Sequence, residues 1–289
     1  MLIAQISDLH ITDRVGLTSS LVDANANLER AIEFLNRLRP RPDVAVASGD
    51  LTDNGLPTQY QALVALLGRL ELPCFVIPGN HDDRSALLGA FADHTYLRRD
   101  GGPLHFAIDD YPVRLVGIDT TRPGRHDGRF AETDRSWLDD TLLGRPDTPT
   151  LVFMHHPPFD TGIWWMDCVG LPAEDRIGFE AVIRRHPQVR RVVCGHVHRA
   201  VQLAWSSTVV SVAPSTAHQV GLDLEPGAAM SLTDEPPMIT LLDWTDERIL
   251  THTCAFLPAR SVDLGAAMSP GAKEKLMTRP PAPKGGGFT

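Results

Sequence analysis

The chain has 289 residues, of which 43% are hydrophobic and 22% are charged. These proportions are typical of a globular protein with a sizeable core, built as one large domain or two smaller ones. The formal net charge is −9, from 36 acidic and 27 basic side chains. Binding to a nucleic-acid polymer usually needs a basic surface, and the sequence has no run rich in lysine and arginine, so such a partner is disfavoured.

The sequence shows no sign of export or of membrane insertion. Its four cysteines form no Cys-x-x-Cys pair, which argues against a disulfide framework. Residues 1–8 lack the basic segment of a signal peptide and are interpreted as a core strand. No apolar run approaches the ~20 residues that span a bilayer. We therefore expect a cytoplasmic protein that does not contact a membrane.

The first ninety residues alternate between short apolar runs and segments with helical spacing. The pattern predicts strands at 2–7, 44–47 and 74–77 and helices at 20–38, 58–70 and 84–91. Strands that lack polar residues and alternate with helices indicate an α/β core with a largely parallel sheet.

The later part of the chain does not keep the regular alternation of strands and helices. It predicts a hairpin of residues 104–108 and 113–118, helices at 133–143 and 174–186, and strands at 150–154 and 192–194. Trp164-Trp165-Met166 lies in a predicted loop and suits either the core or a lid over a substrate. From Val201 to about Phe256, apolar and polar residues alternate, which predicts antiparallel strands that complete a second sheet.

Residues 258–289 are rich in proline and glycine, with Pro280-Pro281-Ala282-Pro283 and three consecutive glycines from Gly285. Such a segment cannot bury enough apolar surface to fold alone. We expect one domain over residues 1–257, followed by a flexible tail or a remnant of purification. The alternative is a tail that packs on a partner subunit.

Polar clusters follow directly after several of the predicted strands. They are Asp8-Leu9-His10, Gly49-Asp50, Pro78-Gly79-Asn80-His81-Asp82, His155-His156 and Gly195-His196-Val197-His198. Each cluster alone is compatible with turn chemistry or with exposed imidazoles. In α/β sheets, however, the carboxyl ends of the strands meet at the edge where ligands bind. Carboxylate, amide and imidazole groups at one edge suit Mn²⁺, Fe or Zn²⁺, so we expect these segments to hold two metal ions.

This series of motifs, in this order from Asp8 to His198, resembles the calcineurin-like metallophosphoesterase superfamily. It departs from the ligand pattern of the superfamily nowhere. Three segments also resemble the bacterial class III cyclic-nucleotide phosphodiesterases and glycerophosphodiesterases. They are Ser7-Asp8-Leu9-His10-Ile11, Met154-His155-His156-Pro157-Pro158 and Gly162-Ile163-x-x-Met166-Asp167.

The resemblance implies a fold and a set of site residues. The fold is a four-layer α/β/β/α sandwich of two mixed sheets flanked by helices. The implied ligands are Asp8, His10 and His198 for one ion, Asn80, His156 and His196 for the other, and Asp50 as the bridge between them. His156 is preferred over His155 because the family pattern places the ligand immediately before the two prolines. His81 would bind no metal and would face the scissile phosphate as a proton donor or charge stabiliser.

The implied activity is hydrolysis of small soluble phosphodiesters, such as 3′,5′-cyclic AMP or glycerophosphodiesters, by attack of a metal-bound hydroxide. The implied cofactors are two divalent ions, Mn²⁺, Fe²⁺/Fe³⁺ or Zn²⁺, and the implied assembly is a homo-oligomer. A phosphomonoesterase or a nuclease of the same superfamily is the alternative. A binding scaffold without metal is a third reading, against which the intact ligand set argues.

Overall fold

The computed structural model describes residues 1–13, 20–97, 100–205 and 207–277. Residues Met1–Leu257 form one compact unit, and the described residues from 258 to 277 belong to a second. Within the described residues, no helix has the length and apolar character needed to cross a membrane.

The amino-terminal part of the first unit alternates strands and helices as predicted. Its elements are β1 (Leu2–Ile6), α1 (Ala24–Arg37), β2 (Val44–Ser48), α2 (Pro57–Leu67), β3 (Cys74–Ile77) and α3 (Arg84–Ala90). β1 pairs in parallel with β2, and β2 pairs in parallel with β3. Asp83 caps α3 by accepting a hydrogen bond from the backbone N–H of Ala86, which fixes the point where the loop after β3 ends.

The rest of the first unit supplies most of the strands. The elements are β4 (Phe106–Ile108), β5 (Arg114–Ile118), α4 (Glu132–Leu143), β6 (Thr150–Met154), α5 (Trp164–Asp167), α6 (Ala173–Arg184), β7 (Val189–Cys194), β8 (Val201–Trp205), β9 (Thr208–Val212), β10 (Gln219–Val220), β11 (Leu232–Thr233), β12 (Met238–Thr245) and β13 (Arg248–Ala255). A six-stranded sheet has the order β4-β5-β6-β7-β9-β8. Its four central strands are parallel, and both edge strands run antiparallel to their neighbours.

The prediction that the carboxyl-terminal strands complete a second sheet is correct for β8 and β9 and wrong for β12 and β13. β12 pairs antiparallel with β1, in a register that sets Leu2 opposite Asp243, and β13 pairs with β12. The first sheet is therefore five-stranded, in the order β13-β12-β1-β2-β3. Alternation of apolar residues shows that a strand is half-buried, but it carries no information about which sheet edge the strand joins.

Successive side chains of β5 and β6 point into different cores. Leu115, Leu151 and Phe153 pack in the cluster that contains the apolar residues of β1 and β2. Val116 and Val152 belong to a second cluster, together with residues of α4 and α6. This period-two alternation places the two sheets face to face with helices outside them. Two mixed sheets with flanking helices confirm the fold implied by the resemblance.

The second unit is described from residue 258 to residue 277. It contains two short helices, α7 (Leu264–Ala267) and α8 (Pro270–Met277), where the sequence predicted no folded structure. Their apolar side chains Leu264, Leu276 and Met277 are exposed. The Pro-rich and Gly-rich stretches on which the expected flexible tail depended lie outside the described residues.

Candidate metal centre

The backbone around the polar clusters adopts a conformation that side chains other than glycine rarely take. Seven non-glycine residues of the described chain have φ between 45° and 73°. Five of them are the predicted metal ligands Asp8, His10, Asp50, His196 and His198. Each residue in this left-handed region costs about 1 kcal/mol or more. Such strain at five predicted ligands indicates that the backbone is shaped to aim these side chains.

Glycines next to the clusters allow elements to approach each other closely. A Cβ atom on Gly79 would lie 2.1 Å from the backbone nitrogen of Asp50, and one on Gly49 would lie 2.3 Å from Nδ1 of His155. The φ of Gly49 is +95°, whereas Gly79 has no positive φ. Gly79 is therefore needed for the space that it leaves to Asp50, and not for an unusual turn of its own backbone.

Four predicted ligands form a first group at the carboxyl ends of β1, β2 and β7. Nε2 of His198 lies 3.3 Å from Oδ1 of Asp8 and 3.2 Å from Nε2 of His10. Nε2 of His10 lies 3.7 Å from Oδ2 of Asp50. These four side chains are buried and have their ligand atoms within 4.8 Å of one another.

A second group forms around the other oxygen of Asp50. Oδ1 of Asn80 lies 3.0 Å from Nε2 of His155 and 3.0 Å from Nδ1 of His196. Nε2 of His155 lies 3.4 Å from Oδ1 of Asp50. The amide NH₂ of Asn80 points to Nδ1 of His126 at 3.1 Å, which turns the amide oxygen towards the two histidines. Asp50 thus presents one carboxylate oxygen to each group.

The adjacent histidines His155 and His156 face different surroundings. Nε2 of His156 donates to the backbone carbonyl of His126 at 3.0 Å, and its Nδ1 accepts from the Thr120 hydroxyl at 2.8 Å. Both ring nitrogens of His156 are therefore engaged within the protein. Nδ1 of His155 donates to the carbonyl of Ser48 at 2.9 Å, which leaves the lone pair of Nε2 facing Asn80. This geometry favours His155 as a ligand, whereas the resemblance pointed to His156. The ligand atoms of His155, His156 and His196 lie within 4.8 Å of one another, so both histidines border the second group.

Hydrogen bonds orient three of the imidazoles in the same way. Nδ1 of His10 lies 3.1 Å from a carboxylate oxygen of Asp53, and Nδ1 of His198 donates to the carbonyl of His218 at 2.9 Å. His155 makes the corresponding bond to Ser48. In each ring the second nitrogen is then free to face the centre, as is usual for histidines that bind metals.

The pKa shifts of the buried groups indicate that the cluster favours a positive charge near Asp50. Burial raises the pKa of the Asp50 carboxyl, but His155 and the neighbouring histidines lower it far more, to well below its usual range. Burial alone would lower the pKa of His155, and Asp50 overcomes this effect and raises it to about 9. The pKa of His156, by contrast, falls to about 3 through burial and the adjacent His155. A cation at the centre would supply the positive charge beside Asp50 that a proton on His155 otherwise supplies.

The donor set tests whether metal ions fit here. The buried atoms without a hydrogen-bond partner, Oδ2 of Asp8 and Nε2 of His196, are not the atoms through which these side chains join the two groups. Carboxylate, amide and imidazole donors suit Mn²⁺, Fe and Zn²⁺. The residues present therefore fit two cations, with Asp50 between them.

Three further histidines border the open side of the centre. Nδ1 of His81 donates to the backbone carbonyl of Asp53 at 2.8 Å, and the ring lines the cavity above the cluster. His126 and His218 line the same cavity, and the His218 ring lies 5.0 Å from that of His10. Neither His126 nor His218 was predicted from the sequence. His218 lies six residues after the end of β9 and directly before β10, and His126 lies in the loop between β5 and α4, so neither follows a strand closely as the predicted ligands do.

The carboxylate of Asp82 joins the two loops that carry Asp50 and Asn80. It accepts hydrogen bonds from the backbone N–H groups of Leu51, Thr52 and Gly79 and from the hydroxyls of Thr52 and Tyr60. Because it is bonded to both loops, Asp82 holds the carboxylate of Asp50 and the amide of Asn80 at a fixed distance.

The two-sheet sandwich and this donor set together define a metal-dependent hydrolase. The sequence model of the family of calcineurin-like phosphoesterases matches residues 1–200 of this chain. The chain therefore belongs to that family, whose members depend on a dinuclear metal centre. This confirms the family resemblance seen in the sequence.

Individual relatives cover most of the chain. A probable glycerophosphodiester phosphodiesterase GpdQ from Arcobacter nitrofigilis is 36% identical over 257 residues, which are 88% of this chain and 92% of the relative. A probable cyclic nucleotide phosphodiesterase from a Synechococcus species is 35% identical over 241 residues, covering 81% and 88%. A dimetal phosphatase from Danio rerio has the same fold, with a TM-score of 0.66, 16% identity and coverage of 89% and 96%.

Proposed function

We propose that this chain is a dinuclear-metal phosphodiesterase that hydrolyses small phosphodiesters. The observation that carries the proposal is the placement of Asp50. Its Oδ2 lies 3.7 Å from Nε2 of His10, and its Oδ1 lies 3.4 Å from Nε2 of His155. One carboxylate thereby faces two separate groups of ligands. The names of the relatives, which are phosphodiesterases of two kinds, support diesters over monoesters.

The proposed ligand sets follow from the two groups. Asp8, His10 and His198 would hold one ion, Asn80, His155 and His196 would hold the other, and the Asp50 carboxylate would serve both. His155 replaces His156 in the set inferred from the sequence. His156 instead supports the loop that contains Thr120 and His126. When bound, the ions lower the pKa of water and polarise the phosphoryl oxygens.

His81 borders the cavity and belongs to neither proposed ligand set. Burial lowers the pKa of His81, but Asp50 and the bond to the Asp53 carbonyl overcome this and raise it above the ordinary value. The bond from Nδ1 fixes the ring with Nε2 away from Asp53. We assign to His81 the donation of a hydrogen bond or a proton to the phosphate or to the leaving oxygen.

The activity is tested with two chromogenic substrates, bis(p-nitrophenyl) phosphate and p-nitrophenyl phosphate, each with and without Mn²⁺. A phosphodiesterase hydrolyses the diester faster than the monoester and only in the presence of metal. Faster hydrolysis of the monoester would favour the phosphomonoesterase alternative. Absence of metal-dependent turnover of either compound would overturn the enzymatic assignment and favour a binding scaffold.

Replacement of His81 by alanine is expected to lower kcat by about 10²–10⁴-fold, because a positioned proton donor contributes that much. Both ions should remain bound, since His81 belongs to neither ligand group. Turnover and metal content of the same preparation measure this. His252→Ala, on the exposed face of β13, is the matched control and should behave as the unmodified protein. Loss of metal in His81→Ala would contradict the assigned role.

The identity of the ions and the setting of the protein are further proposals. Mn²⁺, Fe and Zn²⁺ all accept the donors present, and elemental analysis of the purified protein distinguishes among them. A cytoplasmic location and a homo-oligomeric state stay predictions from the sequence and the resemblance. Sedimentation equilibrium measures the oligomeric state.

A further inference from the structure

A cavity of about 410 Å³ opens above the metal centre. Its volume lies within the range of about 300–1,000 Å³ that encloses ligands of drug size, so it exceeds what a phosphate group alone requires. One wall is the metal centre with its histidines. The other lining residues, which we call the apolar wall, are Trp165, Met166, Val169, Val220, Met230 and Leu232. All six of these side chains are apolar apart from the indole N–H of Trp165.

The first half of this apolar wall is α5 and the turn after it. Met166 is buried in the second hydrophobic cluster, and Trp165 is half-buried against the same cluster. The carboxylate of Asp167 accepts hydrogen bonds from the backbone N–H groups of Thr161 and Gly162, which holds the approach to α5. Trp165 is therefore held in place before any ligand binds.

The second half of the wall is the pair of strands β10 and β11. Val220 and Leu232 are direct partners in this antiparallel pair, so their side chains lie on the same face. The backbone N–H of Gly221 donates to the carbonyl of Ser231 at 2.8 Å and extends the pairing by one step. Met230, the residue before Ser231 in the sequence, lines the cavity, and its side chain is 74% exposed. A ligand that covers Met230 removes apolar surface from water.

The chemistry of the wall discriminates between possible ester groups. Hydroxyls of a polyol placed against it would lose their hydrogen bonds to water and find only the Trp165 indole N–H among its side chains. An aromatic ring would instead stack against the indole and contact the Met230 thioether, both of which are favourable.

We propose that Trp165 and Met230 determine substrate specificity by binding an aromatic or heteroaromatic ring on one ester group of the phosphodiester. This inference rests on the proposed phosphodiesterase function and specifies the substrate class of the same site. It favours a diester that carries a ring, such as a nucleobase, over one that carries glycerol.

The test measures competitive inhibition of bis(p-nitrophenyl) phosphate hydrolysis by phenyl phosphate and by glycerol 3-phosphate. Both inhibitors carry the same phosphate charge, and they differ in whether the ester group is a ring or a polyol. We expect phenyl phosphate to inhibit the unmodified protein at about tenfold lower concentration, because stacking on one aromatic side chain contributes about that factor or more. Trp165→Ala should abolish the difference without changing inhibition by glycerol 3-phosphate.

Two other variants keep the test decisive. Trp164→Ala, in the same helix but 48% exposed and outside the cavity lining, is the matched control and should retain the preference. Met230→Ala changes an exposed side chain, so it should not disturb folding. It should reduce the preference for phenyl phosphate over glycerol 3-phosphate about threefold, because the weaker sulfur–aromatic contact is lost. It tests the wall even if Trp165→Ala fails to fold.

Equal inhibition by the two compounds, or a preference that survives both Trp165→Ala and Met230→Ala, would overturn the inference while leaving the phosphodiesterase assignment intact. Absence of bis(p-nitrophenyl) phosphate turnover would overturn the proposed function. In that case calorimetric titration of the two inhibitors into the metal-loaded protein still decides whether the wall prefers a ring.

Discussion

Replacement of Asp50 by alanine is expected to remove both metal ions and to reduce phosphodiester hydrolysis to the background rate. The two oxygens of this buried carboxylate face the two groups of candidate ligands, and among the described ligand candidates only Asp50 has this placement. Loss of a residue that merely supports a ligand costs about 10–100-fold in metal affinity or activity, and loss of the shared ligand should cost more. Elemental analysis after gel filtration and turnover of bis(p-nitrophenyl) phosphate measure both effects.

Asp110→Ala is the matched control for Asp50→Ala, because it removes an exposed carboxylate from the turn between β4 and β5. It should retain the metal content and the activity of the unmodified protein. A preparation of Asp50→Ala that keeps two ions per chain would contradict the shared-ligand geometry. One that keeps a single ion would show that Asp50 is needed by one group only.

The second large effect distinguishes the roles of the adjacent histidines His155 and His156. His155→Ala is expected to lose the ion held with Asn80 and His196, so that metal content falls from two ions to one and turnover falls with it. The reason is that Nε2 of His155 points to the Asn80 amide oxygen at 3.0 Å, with Nδ1 held by the Ser48 carbonyl. The ratio of metal to protein, measured on both variants side by side, provides the comparison.

His156→Ala is expected to retain both ions and to lose stability instead. Its removal leaves the Thr120 hydroxyl proton and the His126 carbonyl without the imidazole that bonds them, while the bond from the backbone N–H of residue 156 to Thr120 remains, and the loss costs about 1–3 kcal/mol of the free energy of unfolding. Urea denaturation measures this loss. If His156→Ala lost an ion while His155→Ala kept both, the ligand set inferred from the sequence would be restored.

The polar clusters show how far local sequence patterns reach. A short apolar run followed by Asp8-Leu9-His10 or Gly49-Asp50 predicts a strand and a polar loop, because both features depend on residues close together in the chain. The parallel arrangement of β1, β2 and β3 follows from the intervening helices. These local rules were enough to predict which loops meet at one edge of the sandwich.

The role of Gly79 and the edge joined by β12 illustrate what local patterns leave open. Gly79 makes room for the backbone of Asp50, a residue 29 positions away in the sequence. β12 was expected in a second sheet and pairs with β1 instead. Both depend on contacts between distant segments, which periodicity and turn chemistry do not encode.

The sequence by itself determined the family through the order of its motifs, and the resemblance to that family implied the two-sheet architecture. Apolar periodicity predicted the strands, and with them the five loops that carry the candidate site. Only the tertiary structure decided which nitrogen of which histidine faces the centre. His155 and His156 are neighbours in sequence, and what separates them is the Ser48 carbonyl beside one and the Thr120 hydroxyl and His126 carbonyl beside the other. The same is true of the apolar wall, which joins Trp165 and Met230 from segments that are far apart in the sequence.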